Sequence, residues 1–295
     1  MDFGPIGTAM VTPFDHKGNI DFAKTTQLVN YLISTGTTSL IVAGTTGESP
    51  TLTIEEKVAL FRHVVSIANG RVPVVAGTGS NNTRASIQLT KKAEEAGVDA
   101  VMLVTPYYNK PSQEGLYEHF KAIASETKLP VMLYNIPGRS AVNVTVDTIV
   151  RLSEVENIVA VKEASGDLGA MTEIIARTPE DFVLYSGDDS LTLPVLAIGG
   201  KGVVSVASHV IGNEMKQMVE AYQAGKIFEA SAYHQQLLPI MKAMFIAPSP
   251  APVKTSLQLR GLDVGSVRLP LVPIPHEQRV FLANILNQNQ QGSVL

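Results

Sequence analysis

No cysteine occurs among the 295 residues, so the chain has no disulfide, no thiolate metal site and no sulfur nucleophile, which fits a reducing compartment. Excess charge is also missing. The formal net charge is only -4, so no basic surface announces a nucleic-acid partner and no polybasic run announces anionic lipid. Nowhere do the ~18 consecutive apolar residues of a membrane span occur. The opening MDFGPIGTAMVTPF has neither a basic leader nor an apolar stretch of signal-peptide length. The six histidines contain no His-x-x-x-His pair, so no metal site is expected. The expectation is a cytoplasmic protein that works on small molecules, with no nucleic-acid partner, no membrane partner and no cofactor.

Apolar residues make up 45% of the sequence and charged residues 17%, the profile of a compact fold with a sizeable core. Eight short runs rich in Val, Ile and Leu recur: Ile6 to Thr12, Ser39 to Ala43, Pro73 to Ala76, Ala100 to Val104, Val131 to Tyr134, Ile158 to Val161, Phe182 to Tyr185 and Gly202 to Val206. Continuous runs of this kind suit strands buried on both faces of a parallel sheet. Helical punctuation separates them. Thr53 and Glu56 have capping-box spacing ahead of a face made by Val58, Phe61, Val65 and Ala68, and that stretch stops at Gly70. Two more helical stretches run from Asp21 to Gly36 and from Thr83 to Gly97.

Strand and helix therefore alternate, which favours right-handed βαβ units, and eight such units predict a closed (β/α)8 TIM barrel rather than a doubly wound open sheet. From about residue 226 no strand-like run appears. The remainder predicts helices over Phe228 to Phe245 and His276 to Gln288, with an irregular Pro-rich piece from Ala247 to Val253. The expected organisation is a catalytic α/β barrel over residues 1–225 and a C-terminal helical extension over residues 226–295.

In such a barrel the reactive groups sit where strands end, so the residues after each apolar run carry the chemistry. Strand two is followed by Gly44-Thr45-Thr46-Gly47-Glu48, in which two glycines let the backbone approach a ligand and two hydroxyls stand beside exposed N–H groups. The turn suits a carboxylate, although an ordinary capped strand-to-helix turn has the same composition. Strand six ends in Lys162-Glu163. A lysine on an otherwise apolar strand is desolvated, which favours a neutral, nucleophilic amine; pairing with Glu163 or Asp167 is the structural alternative, and the rim position argues against it.

Strand five ends in Tyr134-Asn135-Ile136-Pro137-Gly138-Arg139. Tyr134 sets a phenol one strand from Lys162, able to donate and accept a proton, and Arg139 offers a bidentate fork to a carboxylate. Taken singly, a packed tyrosine and a solvated arginine would look the same. Tyr107 and Tyr108, in a Pro-bounded loop after strand four, fit packing or an interface as well as catalysis. Strand seven ends in Ser186-Gly187-Asp188-Asp189, where two acids argue against a phosphorylated ligand.

GTTGE at 44–48, TPYYNKPSQEG at 105–115, YNIPGR at 134–139, KEASGD at 162–167, SGDD at 186–189 and PAPVK at 250–254 together resemble the dihydrodipicolinate synthase and N-acetylneuraminate lyase superfamily. The likeness runs over nearly the whole chain. GxTGE and the lysine strand belong to the superfamily at large, while Arg139 after YNIPG and the TPYYNKP loop point to its synthase branch. The resemblance implies a lyase, a class I pyruvate aldolase, that condenses pyruvate with L-aspartate 4-semialdehyde and opens the diaminopimelate route to lysine.

It implies that Lys162 forms the Schiff base, that Tyr134 moves protons during imine formation and cyclisation, and that Thr45 and Tyr108 complete a relay. Thr46, Val204 and Gly187 would contact pyruvate, and Arg139 the carboxylate of the semialdehyde. Tyr107 would reach across a subunit contact in a homodimer or homotetramer. The alternative within the superfamily is another class I pyruvate aldolase, such as N-acetylneuraminate lyase or a 2-keto-3-deoxy sugar acid aldolase, and Arg139 discriminates. Outside it stands a non-catalytic barrel that senses pyruvate.

The resemblance also bears on regulation. Lysine-inhibited synthases bind lysine at a subunit contact. Tyr107, Asn81 and Ser49 match that site here, but Ile54 and Lys57 replace histidines and Ala85 replaces a glutamate. Weak or absent inhibition by lysine is expected, because Lys57 repels the ligand's ammonium.

Overall fold

The computed structural model describes residues 2–291. Eight strands, β1 (Ile6–Ala9), β2 (Ser39–Val42), β3 (Val74–Gly77), β4 (Ala100–Val104), β5 (Val131–Asn135), β6 (Ile158–Glu163), β7 (Val183–Ser186) and β8 (Gly202–Ser205), lie in sequence order in one closed barrel. Every neighbouring pair is parallel. The barrel closes where β8 returns to β1, with Gly7 opposite Val204. This is the predicted (β/α)8 architecture with helices between the strands and a helical C-terminal part.

Two apolar layers follow from the strand period of two. Ala9, Ile41, Val75, Met102, Met132, Tyr134, Ala160, Tyr185 and Val204 fill the barrel interior. Their sequence neighbours, including Leu40, Val42, Val74, Leu133, Val161, Leu184 and Val203, face the surrounding helices. The outer layer runs on without a break to Leu237, Val253, Leu257, Leu282 and Leu286 of the C-terminal helices. The expected division near residue 225 falls between the helices Ser208–Gln223 and Ile227–Ala243, and the apolar cluster crosses it.

Local expectations hold with two adjustments. The Thr53/Glu56 capping box is formed, with both reciprocal bonds present, at the start of the helix Ile54–Ala68. Its fully buried residues are Leu60, Phe61, Val64 and Ala68, while Val58 and Val65 lie at the margin. Full burial of one such leucine or valine stabilises by about 1.5–3 kcal/mol, so truncating Leu60 to Ala costs about 2–5 kcal/mol. Second, the Pro-rich piece from 247 to 253 is irregular only in its first half. The helix Ala251–Leu259 starts inside it, because Pro252 sits in the first turn where no backbone N–H is required.

Candidate active site

The ends of β2, β3, β4 and β5 converge on one cavity of about 250 Å³. Its walls include Gly44 and Thr45 after β2, Gly77 at the end of β3 with Gly79 and Ser80 after it, Val104 and Tyr107 around the end of β4, and Tyr134 and Arg139 from β5 and its loop. Lys162 is opposite Tyr134 on one side and Tyr185 on the other. Because Ala160 belongs to the interior layer, Lys162 two residues on points the same way. Its ammonium lies 4.0 Å from the centroid of the Tyr134 ring. The side chain is buried, with the residue only 5% exposed, and among the described residues it makes no ion pair.

The two acids that could have neutralised Lys162 are occupied elsewhere. Glu163 points out of the barrel, where it accepts from Asn135 Nδ2 at 2.8 Å and from the Ser165 N–H at 2.7 Å. Burial holds its carboxyl above the usual range, against the pull of those hydrogen bonds. Asp167 caps the helix Leu168–Arg177 through the Ala170 N–H. Gly187 is required by packing: a Cβ there would stand 3.1 Å from Lys162 Cε and 2.6 Å from the Cβ of Ala164. Val204, on β8, is buried in the interior layer.

The Gly44–Glu48 turn is held at both ends by left-handed residues without glycine's freedom, Ala43 at φ 52° and Glu48 at φ 57°. Such conformations persist where the surroundings over-determine them. Thr12 Oγ1 donates to the Gly47 carbonyl at 2.6 Å and the Glu48 N–H to the Thr45 carbonyl at 3.1 Å. Thr46 is buried within the turn, while Thr45 faces the cavity.

Arg139 sits on the short helix Pro137–Ser140. Among the described residues its guanidinium has no ion pair, and it borders both this cavity and a wider hollow shared with Tyr107, Tyr108 and Lys110. Its loop is pinned from behind. Asn135 accepts from the Val144 N–H at 3.1 Å and donates to Asn143 Oδ1 at 2.7 Å.

Tyr108 is not brought to Thr45 and Tyr134 within the chain. Its φ of 74° turns the residue outward and leaves it 89% exposed. Tyr107, expected at a subunit contact, lines the cavity of its own chain and is 38% exposed. Asn81 Nδ2 donates to the Tyr107 carbonyl at 3.1 Å and Asn109 Nδ2 to the Asn81 carbonyl at 3.0 Å, fixing this loop against the end of β3.

Sequence reasoning gave no role to Ser80 or Asn135. The Gly77-Thr78-Gly79 run after β3 was the available signal, since it repeats the glycine-flanked threonine of the β2 turn. Among the described residues no group of three or more His, Asp or Glu side chains could hold a metal ion. Among them also, no helix is long and apolar enough to cross a membrane.

Comparison with known proteins agrees with this geometry. A family model described as the dihydrodipicolinate synthetase family matches residues 2–289. The 4-hydroxy-tetrahydrodipicolinate synthase of Bacillus subtilis (strain 168) is 65% identical over 289 residues, covering 98% of this chain and 100% of that protein. The crystal structure of a dihydrodipicolinate synthase from Bacillus anthracis superposes with a TM-score of 0.96 at 67% identity, covering 100% of this chain and 99% of that one. A dihydrodipicolinate synthase from Cyanidioschyzon merolae, solved with lysine bound, gives a TM-score of 0.96 at 45% identity, covering 98% of each chain. The chain belongs to the dihydrodipicolinate synthetase family.

Proposed function

We propose that this lyase condenses pyruvate with L-aspartate 4-semialdehyde through a Schiff base on Lys162. The observation that carries the reading is a buried lysine, without an ion pair among the described residues, whose amine faces the Tyr134 ring beside a cavity bordered by the guanidinium of Arg139. The amine of Lys162, having passed one proton to the relay, attacks the carbonyl carbon of pyruvate, and return of that proton as one water leaves gives a protonated imine. That cation draws electrons from the adjacent methyl group, which releases a proton to give an enamine. The enamine carbon attacks the aldehyde, forming the new carbon–carbon bond and a hydroxyl. The amino group of the semialdehyde then attacks the imine carbon and displaces Lys162, closing the ring.

In this scheme Tyr134 donates and accepts the protons at the oxygen and nitrogen of the carbinolamine that precedes the imine, and Thr45 links it to Tyr108. Thr46 and the turn's N–H groups hold the pyruvate carboxylate, which is positioning rather than chemistry. Val204 meets pyruvate through its backbone, Gly187 borders it beside Lys162, and Arg139 takes the semialdehyde carboxylate. The outward course of Tyr108 supports a relay completed by a second copy of the chain, so the working form is a homodimer or homotetramer, and we place it in the cytoplasm.

Borohydride reduction in the presence of pyruvate tests the reading directly. A pyruvate-derived mass on Lys162, absent from Lys162→Ala, is the expected result. No adduct on the wild-type chain would overturn it, and turnover of a sialic or keto-deoxy sugar acid faster than of the semialdehyde would move it to a different aldolase.

A further inference from the structure

The PAPVK segment has no part in the chemistry above, yet its lysine is among the most buried charges of the molecule. Lys254 Nζ lies 2.7 Å from Glu48 Oε1, with the two side chains 3% and 0% exposed. The other oxygen, Oε2, accepts the backbone N–H of Arg268 at 2.8 Å, and Lys254 also donates to the Ser266 carbonyl at 2.8 Å. Both oxygens of a carboxylate in the β2 turn are therefore held by the C-terminal part of the chain. The Arg268 guanidinium extends the contact, donating to Glu56 through two nitrogens, to the Thr51 carbonyl at 2.8 Å and to the Gly18 carbonyl at 2.7 Å. Gly265 (φ 73°) lets this strap lie against Phe14, whose carbonyl oxygen would stand 1.9 Å from a Cβ.

We infer that Glu48 and Lys254 are positioning residues through which the C-terminal helices set the Thr45–Thr46 cradle and thereby the affinity for pyruvate. The inference rests on the reading that this turn holds the pyruvate carboxylate. A buried ion pair is a poor source of stability, because desolvating two charges offsets their attraction; what it supplies is a single geometry. Here the geometry needs support, since Glu48 is left-handed and closes a turn that starts at left-handed Ala43. Its N–H bonds to Thr45 and its carbonyl accepts from the Thr51 N–H and hydroxyl, so a displaced Glu48 side chain carries the turn with it. Burial lowers the ammonium of Lys254 to about 8, and Glu48 opposes that shift, so the cation depends on its partner.

The test measures borohydride trapping against pyruvate concentration, with thermal unfolding alongside, for Glu48→Gln, Lys254→Met, Lys254→Arg and the double variant E48Q/K254M. Each neutralising single variant should raise half-saturating pyruvate about tenfold while the trapping rate at saturation stays within about twofold of wild type, as expected when only binding geometry is lost. The double variant, free of an unpaired buried charge, should regain the wild-type unfolding temperature and keep the raised half-saturation. Lys254→Arg should restore most of the affinity. A folded double variant with wild-type half-saturation would show that the pair is only a structural staple and would overturn the inference, as would a loss of saturating rate without a change in half-saturation. Absence of trapping in the wild-type chain would instead overturn the reading of Lys162.

Discussion

Lys162 and Tyr134 occupy paired positions on adjacent strands, and the ammonium of one lies 4.0 Å from the ring centroid of the other. The ring therefore packs on the nucleophile, and among the described residues its hydroxyl has no hydrogen-bond partner, which leaves it for a separate task. Tyr134→Phe keeps the packing and deletes the hydroxyl. The rate of borohydride trapping at saturating pyruvate should fall by about 10²–10⁴, the range of one acid–base group, with little change in unfolding temperature. A trapping rate near wild type would remove Tyr134 from proton transfer.

Arg139 makes no internal ion pair among the described residues, so its fork is available to a second substrate. Because it is exposed at the cavity edge, the contribution should be that of one charged hydrogen-bonding group. Arg139→Ala should lower kcat/KM for the semialdehyde by about ten- to a hundredfold. Pyruvate trapping should be unaffected; an equal loss in both would mean that Arg139 supports the whole rim.

Tyr108 projects away from its own chain. If it completes a partner's site, Tyr108→Phe and Lys162→Ala should each be impaired alone and should complement when mixed under conditions that allow subunit exchange. With random pairing about a quarter of the sites then hold both intact groups. Recovered turnover near that fraction is expected, and no recovery despite mass-spectrometric proof of mixed oligomers would rule out the crossing.

Lys57 lines the same cavity as Ser49 and Tyr107, half-buried, and burial lowers its ammonium from the ordinary lysine value. Among the described residues it has no ion pair, so its charge is not cancelled within the chain. Lysine bound there would bring a second ammonium close to it. Half-inhibition in a coupled assay should require more than about a millimolar of lysine, and a value below that would mean that other groups in the cleft compensate.

The barrel and its lysine were legible because both follow from short-range rules. Runs buried on two faces mark strands, the strand end marks the rim, and a period of two puts Lys162 and Tyr134 inside. The same period should have removed Glu163 as a partner for Lys162, since adjacent strand residues face opposite ways. The two tyrosines were harder. Tyr107 and Tyr108 are neighbours in a loop, and only the φ of 74° at Tyr108 decides which of them points outward. The contact between Glu48 and Lys254 was out of reach for a different reason: it joins the rim turn after β2 to a helix after the barrel has closed, and no periodicity links the two.

Acid stability depends on His209, which joins the end of β8 to the segment after β1. It is fully buried, donates from Nδ1 to the Val206 carbonyl at 2.8 Å and accepts the Val11 N–H on Nε2 at 3.2 Å. This neutral tautomer satisfies both partners, whereas an imidazolium would turn Nε2 into a donor facing another donor. Burial lowers the ring to about 4, against 6.5 in the unfolded chain, and the Val206 contact opposes only part of that shift. Between pH 6.5 and pH 4 the unfolded state binds the extra proton, so stability is present above pH 6.5 and is lost as the pH falls toward 4. His119, also lowered to about 4 by burial, acts in the same direction. Asp189 acts against them: burial pushes its carboxyl up to about 6, so the folded state takes up that proton first on acidification. Glu163, also raised by burial, joins Asp189, while His234, also lowered by burial, joins the other two histidines; three histidines outweigh two carboxyls, and the unfolding temperature should drop across this window. His209→Gln offers Nε2 to the carbonyl or Oε1 to the N–H without titrating. Its unfolding temperature should start lower at pH 8 and fall less steeply between pH 6.5 and 4 than that of the wild type. Parallel acid limbs for the two proteins would assign the loss to other groups.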